Sequence, residues 1–500
     1  MDSPVQSPRL IIRADGGRRI GAGHLMRCLA LARAWIVREG QVLVIAYCDA
    51  PALKQRFLDL GAQWLDLPED AVSDPRWPGQ HLPEAVELNP NTDWLVLDSY
   101  ALGPDYQVAI QADLGLPVMV LDDYFHQESY QADLLLNQSS SHRHGAYGEI
   151  PSLSGPAFAL LREEFVSPRP KPPEIPAQAR KILVTLGGAD PSGTTPRVMA
   201  ALDFIQATEL EIQILAGPAN PALEELKRLG QQAAHPTQII PPVEAMRPLM
   251  EWADLVVTAG GSTCWEIAAL GIPMAVIPVA DNQTFIVQEL KTNGAADILP
   301  PHQDLSTSGL ARKLESLIQD GPRRTTLSRA AMALVDGKGC RRVIREMRAG
   351  SKVSLEPATP DQVEIFFAWA NDPEVRQASF NTEAIPWFTH QAWFAGALAS
   401  TETRVFLARG RNHLPLGQIR FNREGHTADI DYMVDAPFRG LGLARPLVKA
   451  GLAQIRREWP DLKQIIARVK PDNAASHAVF EKLGFTPVVH EDHTCWQLSL

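Results

Sequence analysis

Residues 11–37 read IIRADGGRRIGAGHLMRCLALARAWIV, and this stretch decides the fold class. A short apolar run gives way to the glycines Gly16, Gly17, Gly21 and Gly23, then to a segment from Leu25 to Val37 with apolar residues at helical spacing. Strand, glycine loop and helix in that order open a β-α-β unit. Further out, the apolar runs Val42–Ala46, Trp94–Leu97 and Val118–Leu121 continue the alternation, which predicts a parallel sheet with crossover helices. Glycines in such a turn admit positive φ and let backbone amides approach a ligand closely, so the helix mouth is a candidate anion site. His24 stands at that mouth. The helix dipole there disfavours imidazolium while a bound pyrophosphate would favour it, and a neutral imidazole is a candidate general base.

The chain has 500 residues, 45% of them apolar, which implies about three compact units. The rhythm breaks at 166–179, VSPRPKPPEIPAQA, where five prolines exclude regular helix or central strand and predict a stiff linker. A second set of strand-like runs follows: KILVTLGG from Lys181, EIQILAG from Glu211, ADLVVTAGGS from Ala253 and PMAVIPV from Pro273. The segment 349–360, AGSKVSLEPATP, marks a second change of texture. The expected units are therefore 1–165, 166–350 and 351–500. A net charge of −11 and the lack of a basic run with interleaved aromatics argue against a nucleic-acid partner. Five scattered cysteines without a CxxC pair argue for reduced thiols, with no disulfide framework and no metal site expected. With no signal-like N-terminus and no long apolar run, the expected place is the cytoplasm, away from membranes.

Carboxylates close several first-lobe strands, at Asp98 and at Asp122 and Asp123, and an amide does so at Asn137. Each is equally suited to lining a crevice and to capping a turn. In the second lobe, residues 258–290 read TAGGSTCWEIAALGIPMAVIPVADNQTFIVQEL. A strand ends at Gly260 and Gly261, Ser262 and Thr263 suit a helix start, and Glu266 falls in the first turn. Backbone amides would meet a diphosphate and Glu266 a ribose, although an acid in that turn also simply satisfies the helix dipole. The loop 186–193, LGGADPSG, brings Gly188 to the same end of the sheet.

The third unit contains ADIDYMVDAPFRGLGLARPLVKAGL from Ala428 and VKPDNAASHAVFEKLGF from Val469. A strand ending at Val434 feeds a turn with Arg439, Gly440, Gly442 and Ala444, whose successive amides suit a pyrophosphate at a helix start. These two segments resemble the signatures of the GNAT acetyltransferases, which implies acetyl-CoA as co-substrate, held by the Val434–Ala444 turn with Asn473 and Ser476 beside its pantetheine arm. Many members carry a tyrosine where this chain has Phe480. Tyr432 is the one tyrosine of the unit and so its sole phenolic acid; His477 and water are the other donors. Asp431 or Asp429 could serve as base through water, or be merely solvated strand carboxylates.

The RADGG and IGAGH strings resemble the N-terminal signature of the UDP-sugar hydrolases of pseudaminic acid biosynthesis. That resemblance implies His24 as the base that activates water, with Arg13, Asp15, Gly17 and Gly23 around the sugar. Residues 258–290 resemble the donor lobe of GT-B glycosyltransferases, implying that Gly261, Ser262, Glu266, Asn282 and Gln283 hold a UDP-sugar. Together the expectation is an α/β chain, a GT-B-like pair of Rossmann-type lobes followed by a GNAT domain, acting on UDP-amino-sugars. Two alternatives stay open: a glycosyltransferase with an acyltransferase tail, and a hydrolase whose GNAT domain only senses acetyl-CoA.

Overall fold

The computed structural model describes residues 7–500 other than 18–19, 85, 141–146, 169, 188–189, 191, 207–208, 217–219, 221 and 351. It divides into two compact units, Met1–Val343 and Ile344–Leu500. The first holds two parallel sheets and the second a largely antiparallel one. Among the described residues no helix is long and apolar enough to cross a membrane.

The front sheet comprises β1 (Arg9–Ala14), β2 (Gln41–Ala46), β3 (Gln63–Asp66), β4 (Trp94–Asp98), β5 (Val118–Leu121), β6 (Leu134–Asn137) and β7 (Ser152–Ser154). Their order is β3-β2-β1-β4-β5-β6-β7, all parallel. The order reverses between β1 and β4, where Ala14 lies beside Asp98. Crevices in doubly wound sheets open at such a reversal, outside the carboxyl ends of the strands. The helix Gly23–Ile36 starts just there.

The second sheet comprises β8 (Lys181–Thr185), β9 (Glu211–Leu215), β10 (Thr237–Ile240), β11 (Leu255–Ala259), β12 (Met274–Ile277) and β13 (Asp297–Ile298). It repeats the plan, β10-β9-β8-β11-β12-β13, with its reversal between β8 and β11. Ile182, Val184 and Val257 pack into one apolar layer while Leu183, Val256 and Val276 pack into the other. Both faces are buried, as a parallel sheet covered by helices requires. The proline-rich stretch before it forms neither helix nor strand over 170–180.

The second unit comprises β14 (Ser354–Pro357), β15 (Thr403–Arg409), β16 (Pro415–Glu424), β17 (Thr427–Val434), β18 (Gln464–Val469), β19 (Thr486–Val489) and β20 (Thr494–Ser499), ordered β14-β15-β16-β17-β18-β20-β19. Only β17 and β18 run parallel, and their ladder spans just Thr427–Asp429 against Gln464–Ile466. Both strands continue past that point, so the sheet parts between Ile430–Val434 and Ala467–Val469. Ahead of β15 lie two short helices, Val363–Ala370 and Pro373–Ala378. Pro373 disfavours helical backbone at Asp372, whose carboxylate caps the second helix by accepting from Glu374 N and Val375 N. The architecture is the expected α/β one: two Rossmann-type lobes with parallel sheets, then a third α/β domain on a mixed sheet.

Gly417 lets β16 turn beside β17: its φ is +148°, and a Cβ there would lie 2.2 Å from the Met433 carbonyl oxygen. Gly417→Ala is expected to destabilise the second unit by about 1–3 kcal/mol, through overpacking against rigid backbone. Gly425→Ala, at positive φ but in open space, should cost about 1 kcal/mol. Urea unfolding of both variants measures the difference.

Candidate active sites

His24 is the second residue of the Gly23–Ile36 helix, and no described side chain caps that helix. Its Nδ1 lies 2.6 Å from Asp98 Oδ1, at the end of β4. Arg27, one turn further along the helix, donates from Nε to Asp98 Oδ2 at 2.6 Å and from Nη2 to Oδ1 at 2.5 Å. The same guanidinium reaches Asp123 through Nη1 at 2.7 and 2.9 Å, and Tyr100 Oη donates to Asp123 at 2.7 Å. The Tyr100 ring stands edge-on to His24, 4.7 Å between centroids.

Burial by itself would raise the Asp98 carboxyl, but the Arg27 charge and the hydrogen bonds from Arg27 and His24 outweigh it and hold the group well below the usual carboxylate range. An ionised Asp98 accepts from Nδ1–H, which leaves Nε2 as the imidazole's proton acceptor. Tyr100 is pushed up by burial and by Asp123, so its phenol stays protonated.

Around this cluster the glycine loop closes on itself, with Gly17 and Gly21 exchanging backbone hydrogen bonds of 3.0 and 2.8 Å. Gly23, at the helix start, is exposed. Arg13 and Asp15, which the resemblance places around the sugar, are enclosed in the structure, and Asn137 takes the turn-capping alternative. Arg13 is fully buried, with Nε on Tyr106 Oη, Nη1 on Asp15 and Nη2 on the Val72 carbonyl. Asp15 is 2% exposed, and its Oδ1 takes Arg13 and the Tyr47 amide. Asn137 is equally sealed: Nδ2 donates to Tyr147 Oη and Oδ1 accepts from the amides of Ser139 and Ser140. These contacts brace the loops from inside, while Asp15 Oδ2 is buried without a hydrogen-bond partner among the described residues. Asp122 turns to His126 and Tyr147 rather than to His24.

In the second lobe, Ser262 and Glu266 belong to the helix start after β11, with Ser262 exposed at the N-cap and Gly261 before it. Glu266 Oε1 accepts from Arg162 Nε at 2.9 Å, and Arg162 also pairs with Glu164. Burial raises the Glu266 carboxyl even against the Arg162 charge. Gln283 Oε1 accepts from the amides of Gly260 and Val279, both at 3.0 Å, so this oxygen ties two loops together. Asn282 beside it is exposed. Gly188 lies outside the described residues. In the same loop Asp190 accepts from the amides of Thr194 and Thr195, so that helix start already carries a carboxylate. A groove of about 500 Å³ beside Lys171, Arg247 and Asp254 lies at the amino ends of β11 and β12, the end away from Glu266.

In the second unit, Gly440 and Gly442 adopt φ of +72° and +80°, and both would leave an added Cβ in open space. Positive φ turns their amides toward the start of the helix Ala444–Glu458, which no described side chain caps. The Arg439 side chain serves as a brace: Nε donates to the Val434 carbonyl at 3.0 Å and the guanidinium pairs with Asp372 and Glu374.

Tyr432 lies where β17 and β18 part. Its Oη is 3.1 Å from Ser476 Oγ, and its ring meets Phe480 edge-on. Asn473 caps the helix Ala474–Lys482 by accepting from Ser476 N. Burial raises the Tyr432 phenol, with Ser476 opposing, so it remains a proton donor. His477 is committed elsewhere: Trp496 Nε1 donates to its Nδ1, which leaves Nε2–H for the Lys470 carbonyl. Side chains alternate along a strand, so Asp431 and Tyr432 occupy opposite faces of β17. Asp431 is half exposed and paired with Arg420, whose guanidinium lies over Trp393; Asp429 pairs with Arg468.

Asp98 as the partner of His24, Arg27, Tyr100 and Arg162 were all missed as a set from sequence. The usable signal was Asp98 at a strand end, but pairing it with His24 requires knowing that β4 lies beside β1.

Residues 182–340 match the glycosyltransferase family 28 C-terminal domain, and residues 352–486 match the acetyltransferase (GNAT) domain. The chain thus carries a glycosyltransferase-28-type lobe within a GT-B-like pair, fused to a GNAT acetyltransferase domain. Among individual proteins, it is 25% identical over 344 residues to the spore coat polysaccharide biosynthesis protein SpsG of Bacillus subtilis, covering 66% of this chain and 95% of that one. The uncharacterized protein MJ1062 of Methanocaldococcus jannaschii is 21% identical over 494 residues, 95% of this chain and 96% of that one. The crystal structure of Acinetobacter baumannii MurG shares the fold of the front unit, with a TM-score of 0.50 at 16% identity over 68% of this chain and 99% of that chain.

Because folding depresses the Asp98 pKa, its stabilisation is present above the unfolded value of about 3.9 and is lost as pH falls toward the folded value. The first unit should lose stability steeply below about pH 4, and Asp98→Asn should show a flatter acid dependence from a lower starting point. Arg27→Leu leaves the buried Asp98 charge with only His24 and the Cys28 thiol as partners, which should cost about 3–5 kcal/mol at neutral pH. Urea unfolding across pH tests both; a wild-type profile no steeper than that of Asp98→Asn would contradict the pairing.

Proposed function

We propose that this chain is a bifunctional enzyme of pseudaminic acid biosynthesis. Its GNAT unit acetylates the 4-amino group of UDP-4-amino-4,6-dideoxy-N-acetyl-β-L-altrosamine from acetyl-CoA. Its front unit releases UDP from UDP-2,4-diacetamido-2,4,6-trideoxy-β-L-altrose by hydrolysis. The observation that carries the hydrolytic half is His24, held through Nδ1 by the ionised Asp98 at an uncapped helix start on the sheet's reversal point.

In this reading water attacks the anomeric carbon, its proton goes to His24 Nε2, and the bond from that carbon to the phosphate oxygen breaks. UDP leaves with the electron pair, its charge met by the amides at Gly23 and at Gly261–Ser262. Glu266 holds the ribose, exchanging its contact with Arg162 for the two hydroxyls. Asp98 acts through His24 as a positioning residue. The sugar assignment rests on the likeness of the RADGG and IGAGH strings to the hydrolase signature.

In the rear unit the Gly440–Ala444 turn holds the CoA pyrophosphate and the parted strands receive the thioester. The amine attacks the thioester carbonyl, Asp431 takes its proton through water, and Tyr432 protonates the leaving thiolate as the carbon–sulfur bond breaks. Phenol and carboxylate act from opposite faces of β17. A thiolate with a pKa near about 8.5 needs little help, so the acid's contribution is modest.

One observation favours a second reading, a glycosyltransferase: the family of the 182–340 domain is a glycosyltransferase one. Mass spectrometry of the purified chain with the UDP-4-amino sugar, with and without acetyl-CoA, separates the two. The expected result is the acetylated UDP-sugar, then free diacetamido sugar and UDP with no acceptor added. His24→Ala should stall at the acetylated UDP-sugar, with UDP release slowed by at least about 10²-fold. Tyr432→Phe should slow acetylation by up to about 10²-fold while hydrolysis of supplied diacetamido UDP-sugar continues. UDP release only on addition of a sugar acceptor would overturn hydrolysis in favour of transfer.

A further inference from the structure

The turn between β19 and β20 gathers three groups that neither candidate site uses. His490, His493 and Cys495 each present one ligand atom, and the three atoms lie within 4.8 Å of one another. Cys495 Sγ is 3.2 Å from His493 Nε2. The His490 and His493 rings stack at 4.7 Å, and the His490 amide donates to the His493 carbonyl at 2.8 Å to close the turn. On its other side His493 Nδ1 lies 2.6 Å from Asp492 Oδ1.

We propose that this turn is a binding site for a borderline-soft divalent cation of the zinc class, with His490, His493 and Cys495 as ligands and a fourth position open to solvent. Zinc bonds of about 2.0–2.1 Å to nitrogen and 2.3 Å to sulfur place tetrahedral donors about 3.5 Å apart, close to the Sγ–Nε2 separation here. Two imidazoles and a thiolate select zinc or cobalt over magnesium or calcium, which take oxygen ligands. Asp492 supplies the outer contact typical of metal-bound histidine: a carboxylate on Nδ1–H fixes the tautomer and directs the Nε2 lone pair to the ion. Arg468, across the β18–β20 ladder from Cys495, is itself matched by Asp429 at 2.6 Å, which limits its repulsion of a cation.

These ligands include a single cysteine, so they lack the CxxC pair that marks a structural zinc site in sequence. Here the ligands come from H490-E-D-H-T-C495, where a tight turn brings the first histidine back beside the other two residues. All three belong to one hairpin, so a bound ion clips the turn to β20 independently of either reaction.

The full chain, stripped with chelator and titrated with Co²⁺ alone, tests the site. The expected result is one cobalt per chain with a thiolate-to-cobalt charge-transfer band that Zn²⁺ abolishes. The band should be absent in Cys495→Ser and retained in Cys48→Ser and Cys340→Ser. His490→Gln, in an exposed position that leaves the strand intact, and Asp492→Ala should each weaken binding by about tenfold or more. Absence of the band in the wild type, or its persistence in Cys495→Ser, overturns the proposal. So does unchanged affinity in His490→Gln.

Discussion

The carboxylate of Asp98 is sealed from water, and in such a place a charge is tolerated only with close partners. It has them in Arg27, which grips both oxygens, in the His24 imidazole, and in the Cys28 thiol 3.4 Å from Oδ2. Removing water from an ion costs several kcal/mol, and the fork geometry of Arg27 is what offsets it. The rest of the front cluster follows. Arg27 cannot serve Asp98 without also facing Asp123, and Asp123 in turn orients Tyr100 against the edge of His24. The direction in which His24 points is therefore set by a buried charge network.

Helix starts at strand ends recur through the chain, in different states of occupation. The start at Thr194 already holds a carboxylate from its own loop, Asp190. Those at Gly23 and Ala444 have no described side-chain cap, and each follows a glycine-containing turn. Unmatched amides at a helix start attract anions, so these two starts, like the one at Thr263 that also lacks a described side-chain cap, suit an anionic group. The Glu266 helix is intermediate: its first turn carries an acid of its own, engaged by Arg162. In the second unit the decisive feature is the short parallel ladder, because strands that part after three pairs leave backbone groups and Tyr432 facing a gap.

Much of this was legible in the amino-acid sequence, because it depends on local periodicity and on backbone requirements. Apolar runs ending in glycine mark β1, β8 and β11 with the helices that follow; the proline-rich 166–179 segment marks the break between the two parallel sheets; and the RGLGLA turn marks the start of the helix Ala444–Glu458. These features are written in consecutive residues. His24 and Tyr432 were singled out as candidates the same way, one by its loop and the other as the single tyrosine of its unit.

What sequence alone could not supply is every relation that joins distant positions. His24 and Asp98 are 74 residues apart, and Tyr432 and Ser476 are 44 apart. At Arg13, Asp15 and Asn137, whether a polar side chain faces a crevice or the interior is settled by strand order and by the neighbours packed on it. Local spacing thus determined the elements and the turns, because helix, strand and glycine conformations are decided within a few residues. The tertiary structure alone decided which charges meet, because burial and Coulomb pairing act through space between segments that the chain order keeps apart.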